Sequence, residues 1–456
     1  MKFRIFWAIL ACKVLTGILR LFGRGGTAIP GKLALQMCPQ LLGELAKDVH
    51  CVVITGTNGK TTSARMIEEI FAKAKTSYFA NRSGANLIGG ITAEFVEHST
   101  MRGKPLKKYA IIECDEAASK EVCRYLDPDC ILVTNVFRDQ LDRFGDVSNT
   151  LESILLGIYN SPHAKVCLNA DCPLTSSLAN RIDNTVFFYG VDTSIYKSPV
   201  SEIDEAAYCP RCKVEYEYSY RTFGYLGGFY CPKCGTKRQW PIIAVSEIKD
   251  CGLDTTKVKM RIFNEYADAT INLPGAYNIY NAIGAMAVSQ AMLIDPFASI
   301  NALSTFSCGF GRMEQFDMGQ SKARMILVKN ATGFNQVINY LSELTDKTLF
   351  VCCINDNTGD GTDISWIWDV RFERLAELTE LFGEIYVSGI RRDDMAVRLK
   401  YAGIPTEHIR VFDNYDELIK SISSQELPVV IAPTYSAMME LRAKMSAAFG
   451  GKDFWE

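Results

Sequence analysis

The chain has 456 residues, 48% hydrophobic and 22% charged, with 49 basic against 52 acidic residues for a formal net charge of −3. That length suits two or three domains with ample core, and the near-neutral balance excludes the electrostatic footprint of a nucleic-acid-binding protein. Cysteines scattered through apolar stretches, as at Cys130, Cys352 and Cys353, speak for a reducing compartment, the cytoplasm, rather than a disulfide framework.

The chain opens with FRIFWAILACKVLTGILRLF at 3–22, which predicts a helix. Arg4, Lys13 and Arg20 interrupt it, which makes it a poor membrane-spanning segment, and no small-residue cleavage site follows an uninterrupted apolar core. Two readings stay open: a helix packed on its own protein, and an amphipathic helix resting on the inner face of a membrane. The turn-rich GRGGTAIPGK at 23–32 ends it.

VVITGTNGKTT at 52–62 is a buried-type strand running into a glycine turn, a lysine and two threonines, followed by the helical SARMIEEIFAKA. It is a short variant of the phosphate-binding loop, because Ile54 stands where the longer pattern has its first glycine. Backbone N–H groups of Gly56, Thr57, Asn58, Gly59, Thr61 and Thr62 and the helix N-terminus would face phosphates. Lys60 would supply a point charge to the β and γ oxygens of ATP, and the Thr61 hydroxyl would reach Mg²⁺.

YAIIEC at 109–114 and CILVTN at 130–135 read as further parallel strands with crossover helices. CPRC at 209–212 and CPKC at 231–234 give C-x₂-C-x₁₈-C-x₂-C, so Cys209, Cys212, Cys231 and Cys234 form a predicted Zn²⁺ site of the closed, structural kind. Between them lie Tyr216, Tyr218, Tyr220, Phe223, Tyr225, Phe229 and Tyr230, which a small ribbon without aliphatic core uses to hold itself together. NLPGAYNIYNAIGAMAVSQAML at 272–293 is a turn leading into a long helix. From Met325 onward short apolar runs alternate with helical stretches, which predicts a small doubly wound α/β domain. The expected division is an N-terminal helical segment (1–45), an ATP-binding central domain (46–316) with the ribbon inserted at about 205–240, and a C-terminal domain (317–456).

TGTNGKTT resembles the nucleotide loop of the Mur ligases and folylpolyglutamate synthases, and other stretches agree in order along the chain. Glu113 matches that family's Mg²⁺-binding glutamate, GAYNIYNAIGA at 275–285 its nucleotide-binding helix with Asn278 and Asn281, and GFGRME at 309–314 its phosphate-reaching arginine, Arg312. TNVFRDQLDRFG at 134–145 resembles a family stretch with histidine where this chain has Gln140, an amide that cannot take up a proton near neutral pH.

The ribbon, RDQLDRFG and the tail INDNTGDGTDISWIWDVRFE at 354–373 are together similar to the Mur-ligase-like synthetase subunits of lipid II isoglutaminyl synthases. That resemblance implies ATP-dependent amidation of the D-glutamate α-carboxylate in the lipid II stem peptide. Ammonia would come from a GatD-like glutaminase in a heterodimer or larger assembly. It further implies that an aspartate of this chain serves the partner's Cys–His pair. Asp356 is the choice, at the end of the apolar TLFVCCIND, with Asp360, Asp363 and Asp369 as rivals. The sequence independently lacks a glutaminase signature: no Gly-x-Cys-x-Gly elbow occurs, and none of His50, His98, His163 and His408 belongs to a catalytic motif. The rival reading is an ATP-dependent amino-acid ligase of the same superfamily.

Overall fold

The computed structural model describes residues 2–21, 28–81, 85–137, 147–195, 207–251, 254–307, 312–344 and 346–450. They fall into two compact units that divide between Phe306 and Ser307.

The first unit is built on strands β1 (His50–Thr55), β2 (Tyr78–Ala80), β3 (Tyr109–Glu113), β4 (Cys130–Val133), β5 (Lys165–Asn169), β6 (Val186–Val191), β9 (Ile243–Cys251), β10 (Thr256–Ile262) and β11 (Glu265–Ile271). Their order in the sheet is β11-β10-β9-β6-β5-β4-β1-β3-β2. Pairing is parallel from β2 through β9 and antiparallel among β9, β10 and β11. The predicted strands at 109–114 and 130–135 are β3 and β4, and they flank β1: Ile54 stands opposite Glu113 on one side and Leu132 on the other. All three are buried on both faces, which is why they read as continuous apolar runs. Since the chain moves outward in opposite directions from β1, the loop after β1 sits where open α/β sheets bind ligands.

Helices Lys2–Leu21, Ala28–Met37 and Leu41–Ala46 bury Ile5, Ile9, Cys12, Ala34, Leu41 and Leu45 in the same core as Cys51 and Val53 of β1. The N-terminal segment therefore shares the core of the first unit. Strands β7 (Glu217–Arg221) and β8 (Gly227–Tyr230) pair as a separate antiparallel hairpin, and they lie within the connection between the parallel neighbours β6 and β9.

The second unit is a six-stranded sheet of β12 (Arg312–Asp317), β13 (Lys322–Ile326), β14 (Leu349–Cys353), β15 (Ile385–Ser388), β16 (Ile409–Val411) and β17 (Val429–Pro433), in the order β12-β13-β17-β14-β15-β16. All pairs are parallel except β12 with β13. The expected boundary at 316/317 runs through β12, whose antiparallel pairing with β13 ties it to the second sheet. LFVCC and VVIAP are fully buried at its centre, with Met438, Leu441 and Met445 of the helix Tyr435–Phe449 packed into the same core.

Candidate nucleotide and metal sites

β1 ends at Thr55, and the next four residues form a turn that only its glycines permit. Gly56 has φ +120°, and a Cβ there would lie 2.3 Å from Thr134 Oγ1. Gly59 has φ +86°, and a Cβ there would lie 2.1 Å from Asn281 Oδ1. Both positions need a missing side chain, for conformation and for space alike. The helix Lys60–Lys73 starts at once, so the positive end of its dipole faces the turn.

Residues 134–137 brace this turn from one side. Thr57 N donates to the Asn135 carbonyl (2.9 Å), and Thr57 Oγ1 both donates to the Phe137 carbonyl (3.1 Å) and accepts from Phe137 N (3.0 Å). Asn135 closes a reciprocal pair with Asn58: Asn58 N to Oδ1 at 2.9 Å and Nδ2 to Asn58 O at 3.0 Å. The helix Ala276–Ala291 braces it from the other side. Of its residues only Tyr277 is not buried, and its alanines and glycine let it pack close to the sheet and to Lys60–Lys73. Asn281 Nδ2 donates to Asn278 Oδ1 (3.1 Å), and Asn278 Nδ2 donates to the Pro274 carbonyl (2.7 Å).

Lys60 is buried. Its Nζ donates to the Gly56 carbonyl (2.5 Å) and to Glu116 Oε1 (2.8 Å). Glu113 at the end of β3 and Asp115 and Glu116 in the turn after it are all buried. Asn81 fixes the Glu113 backbone, accepting from its N–H at 2.9 Å and donating to its carbonyl at 2.7 Å. Burial holds the Asp115 carboxyl above the usual carboxylate range, Glu116 adds to this, and Lys60 opposes it. A dense set of hard oxygen donors thus lies beside a cationic helix start, which suits Mg²⁺ and phosphate together. Thr61 is half-buried and Thr62 buried at the same helix start. Sequence reasoning brought Lys60, Glu113, Asn278 and Asn281 to this site but passed over Glu116 and Asn135; the acids crowded into ECDEA were the available signal.

Other expected residues lie elsewhere or beyond description. All of RDQLDRFG, Gln140 included, lies outside the described residues, as does the side chain of Arg312, whose backbone opens β12 in the second unit.

In the second unit Asp356 follows β14, as expected. Arg391 donates to its Oδ2 through Nε (2.8 Å) and Nη2 (2.5 Å). The acid that caps the turn is the buried Asp360, which accepts from Asn357 N (3.1 Å) and from Ser436 N (2.6 Å) in the first turn of the helix Tyr435–Phe449. Asp363 accepts from Ser365 N (2.8 Å) within its own turn.

The sulfurs of Cys209, Cys212, Cys231 and Cys234 all lie within 4.8 Å of one another. A tetrahedral Zn²⁺ with bonds of about 2.3 Å needs sulfurs about 3.8 Å apart, and here Cys209–Cys234 is 3.6 Å and Cys212–Cys231 is 3.3 Å. Each Cys-x-x-Cys turns back on itself, with Lys213 N donating to Cys209 O (2.8 Å) and Gly235 N to Cys231 O (3.0 Å). Hydrogen bonding from Thr236 holds the Cys234 thiol down at about 6, while the neighbouring cysteine sulfurs help push Cys212 up to about 12, as crowded thiols that share protons do without a cation among them. Tyr216 and Phe229 pack edge to face at 5.1 Å beside the sulfurs, the aromatic core expected of a ribbon. The donor set fits Zn²⁺.

The buried thiols elsewhere behave oppositely: burial pushes Cys51, Cys114, Cys352 and Cys353 upward, which suits core packing and not nucleophilic attack. His50 pairs with Asp129 at 2.9 Å, and His98 stacks on Phe79 at 4.6 Å.

Residues 54–214 match the model of the Mur ligase middle domain, and residues 327–438 match that of the MurT ligase C-terminal domain. The chain is 33% identical over 432 residues to the MurT subunit of the glutamine-hydrolysing lipid II isoglutaminyl synthase of Streptococcus pneumoniae, covering 94% of each. It belongs to the MurT family. The MurT subunit of Staphylococcus aureus is 31% identical over 449 residues, 98% of this chain and 99% of that one. Among solved structures, a pseudomurein peptide ligase type C from Methanothermus fervidus superposes with TM-score 0.65 at 19% identity, over 88% of this chain and 79% of that one. MurF of Thermotoga maritima in complex with ADP superposes with TM-score 0.62 at 14% identity, over 91% and 84%. The fold of this MurT-family chain is thus that of the Mur ligases, with a four-cysteine ribbon set into its first unit.

Proposed function

We propose that this chain is the ATP-dependent synthetase subunit of a lipid II isoglutaminyl synthase. It converts the α-carboxylate of D-glutamate in the lipid II stem peptide to the amide of D-isoglutamine, in peptidoglycan synthesis. What supports the reading most is that the 56–62 turn, the 113–116 acids and the Asn278–Asn281 pair meet in one site of a chain related over nearly its full length to two named MurT subunits.

A carboxylate resists amines because oxide is a very poor leaving group. The carboxylate oxygen attacks the γ-phosphorus of ATP, ADP leaves, and the product is an acyl phosphate. Ammonia then adds to the acyl carbon, and inorganic phosphate departs. The chain's task is positioning and charge neutralisation. Lys60 and Arg312 serve the phosphates, the backbone of Gly56–Thr62 cradles them, and Asn278 and Asn281 hold the nucleotide. Thr61 and Glu113 would hold Mg²⁺, whose charge supports transfer from the γ-phosphate. Zn²⁺ at the four cysteines is structural, since four thiolates leave no open position. Ammonia comes from a separate GatD-like glutaminase, to whose Cys–His pair Asp356 contributes.

The N-terminal helix brings the subunit to its lipid-linked substrate at the cytoplasmic face of the membrane. Among the described residues no helix is long and apolar enough to span a membrane. Lys2–Leu21 buries Ile5, Ala8, Ile9 and Cys12 yet leaves Phe3, Phe6, Trp7, Val14, Ile18 and Leu21 exposed on its outer side. Such a second apolar stripe suits a headgroup boundary. Lys13 and Arg20 are partly engaged, with the Ser99 carbonyl and Glu97, so the attraction would be mainly apolar.

Co-expression with the glutaminase, followed by mass analysis of lipid II given ATP and glutamine, tests the reading. Each stem peptide should lose about 1 Da as OH becomes NH₂ by acyl-phosphate aminolysis. A mass gain matching an added amino acid would instead establish the amino-acid ligase.

A further inference from the structure

The turn of a hairpin is ordinarily its most exposed part, but the turn joining β7 to β8 is buried. Thr222, Phe223, Tyr225 and Leu226 are all buried, at the end of the hairpin away from the four sulfurs. What covers them is the nucleotide site's two walls.

Toward the first wall, the Tyr225 hydroxyl donates to the Val136 carbonyl, and its ring lies 4.9 Å from that of Phe137. Val136 sits between Asn135 and Phe137, the two residues that clamp Thr57 and Asn58. Toward the second wall, Phe223 meets the Tyr280 ring edge-on at 5.5 Å, and Thr222 Oγ1 lies 2.7 Å from the Tyr280 hydroxyl oxygen. Tyr280 stands on the helix between Asn278 and Asn281. Its proton goes to Asp171 Oδ2 (2.5 Å), leaving its oxygen to accept from Thr222. Asp171 is fully buried, and its Oδ1 takes Arg238 Nε at 2.5 Å, from the strand of chain that leaves the second cysteine pair.

We propose that this turn is a positioning element of the nucleotide site, with Tyr225 and Tyr280 as the positioning residues. It holds the Thr57–Asn58 turn and the Asn278–Asn281 helix at a fixed spacing, so folding of the four-cysteine ribbon is coupled to nucleotide affinity. The inference rests on reading residues 56–62 as the nucleotide loop. Because coupling between two ligands is reciprocal, bound nucleotide must tighten the metal by the factor by which the metal tightens nucleotide.

The experiment uses the full chain with its glutaminase, purified with zinc. ADP–Mg²⁺ affinity is measured by calorimetry for wild type, Tyr225→Phe, Tyr280→Phe and Tyr230→Phe. The last removes a hydroxyl from the exposed end of the same hairpin. The two buried variants should weaken ADP–Mg²⁺ by up to about tenfold, the effect of one lost hydrogen bond, with zinc content and the KM for ammonia unchanged. Tyr230→Phe should match wild type. Unchanged affinity in both folded buried variants would overturn the proposal. If either variant fails to fold, wild type alone decides: competition against a zinc-selective chromophoric chelator should show tighter zinc when ADP–Mg²⁺ is present. Equal zinc affinity with and without nucleotide overturns the coupling. Absence of ADP binding by wild type would overturn the nucleotide reading itself, a result distinct from both.

Discussion

Lys60 and Glu116 form a buried ion pair of 2.8 Å, with side chains only 10% and 6% exposed. The lysine that should meet phosphate is thus neutralised by an acid of its own chain, and the pair must open for Lys60 to reach a ligand. Lys60→Ala should abolish amidation, by about a hundredfold or more, as expected for losing a preorganised charge at the reacting group. It should also lower stability by about 3 kcal/mol, because the Glu116 carboxylate is left buried without its partner. Adding Glu116→Gln to Lys60→Met should restore the melting temperature but not the activity. Amidation surviving in Lys60→Ala would remove this lysine from the reaction.

Gly59→Ala probes the turn itself. At φ +86° and with Asn281 Oδ1 at 2.1 Å from the added carbon, alanine is both strained and crowded. The expected cost is about 1–2 kcal/mol from conformation alone, together with weaker ADP binding as Asn281 is displaced. Calorimetry reads both, and an alanine variant with wild-type stability would show that the turn can relax.

Freshly purified chain should contain one zinc. Cys209→Ser or Cys234→Ser should lose it, and the 207–240 region should become sensitive to protease, since metal binding and local folding are one equilibrium. Elemental analysis finding no zinc in wild type would refute the site. A variant that loses zinc and keeps full activity would make the metal dispensable to the reaction.

Asp356→Asn separates the two half-reactions. Glutamine-dependent amidation should fall by up to about 10⁴-fold, the scale for losing the group that orients a catalytic imidazole. Amidation driven by added ammonium should persist. Both hydrogen bonds from Arg391 fall on Oδ2, so Arg391→Ala should produce a weaker version of the same split. Equal loss in both assays would mean that Asp356 serves this chain's own chemistry or fold.

Liposome flotation tests the N-terminal helix. Removing residues 1–22 is a poor probe, because Ile5, Ala8, Ile9 and Cys12 belong to the core around β1. Trp7→Glu with Ile18→Glu changes only exposed positions and should abolish flotation without altering the melting temperature. Flotation that persists in this variant would assign membrane contact to another surface or to the partner.

Much of the site could be read in the sequence because local chemistry dictates it. Gly56 and Gly59 announce a turn, VVIT a buried strand, and the two Cys-x-x-Cys pairs a metal. Contacts between distant segments could not be read. Nothing near Lys60 points to Glu116, which is 56 residues away, nor does Tyr225 announce Val136, at a separation of 89. The aromatics between the knuckles were expected to serve the ribbon alone. Tyr216 and Phe229 do, but Phe223 and Tyr225 pack on Phe137 and Tyr280 instead. Composition cannot tell those two uses of a ring apart. The boundary is hidden in the sequence for a related reason: MEQFDMGQSKA is polar like a linker, yet Glu314 is buried against Arg442 at 2.9 Å and Phe316 is in the core.

The hairpin's place between β6 and β9 governs how the chain can be shortened. Tyr189 and Ile243 are neighbours in parallel strands, and parallel neighbours can be joined only by a segment that travels back along the sheet, typically a dozen residues or more. The four-cysteine insert therefore occupies a connection that had to exist in any case. A tight turn cannot replace it, whereas a linker long enough to make the return can, so the insert is a graft on an obligatory bridge. Its removal is a topologically permitted operation, open to protein engineers and to natural sequences alike.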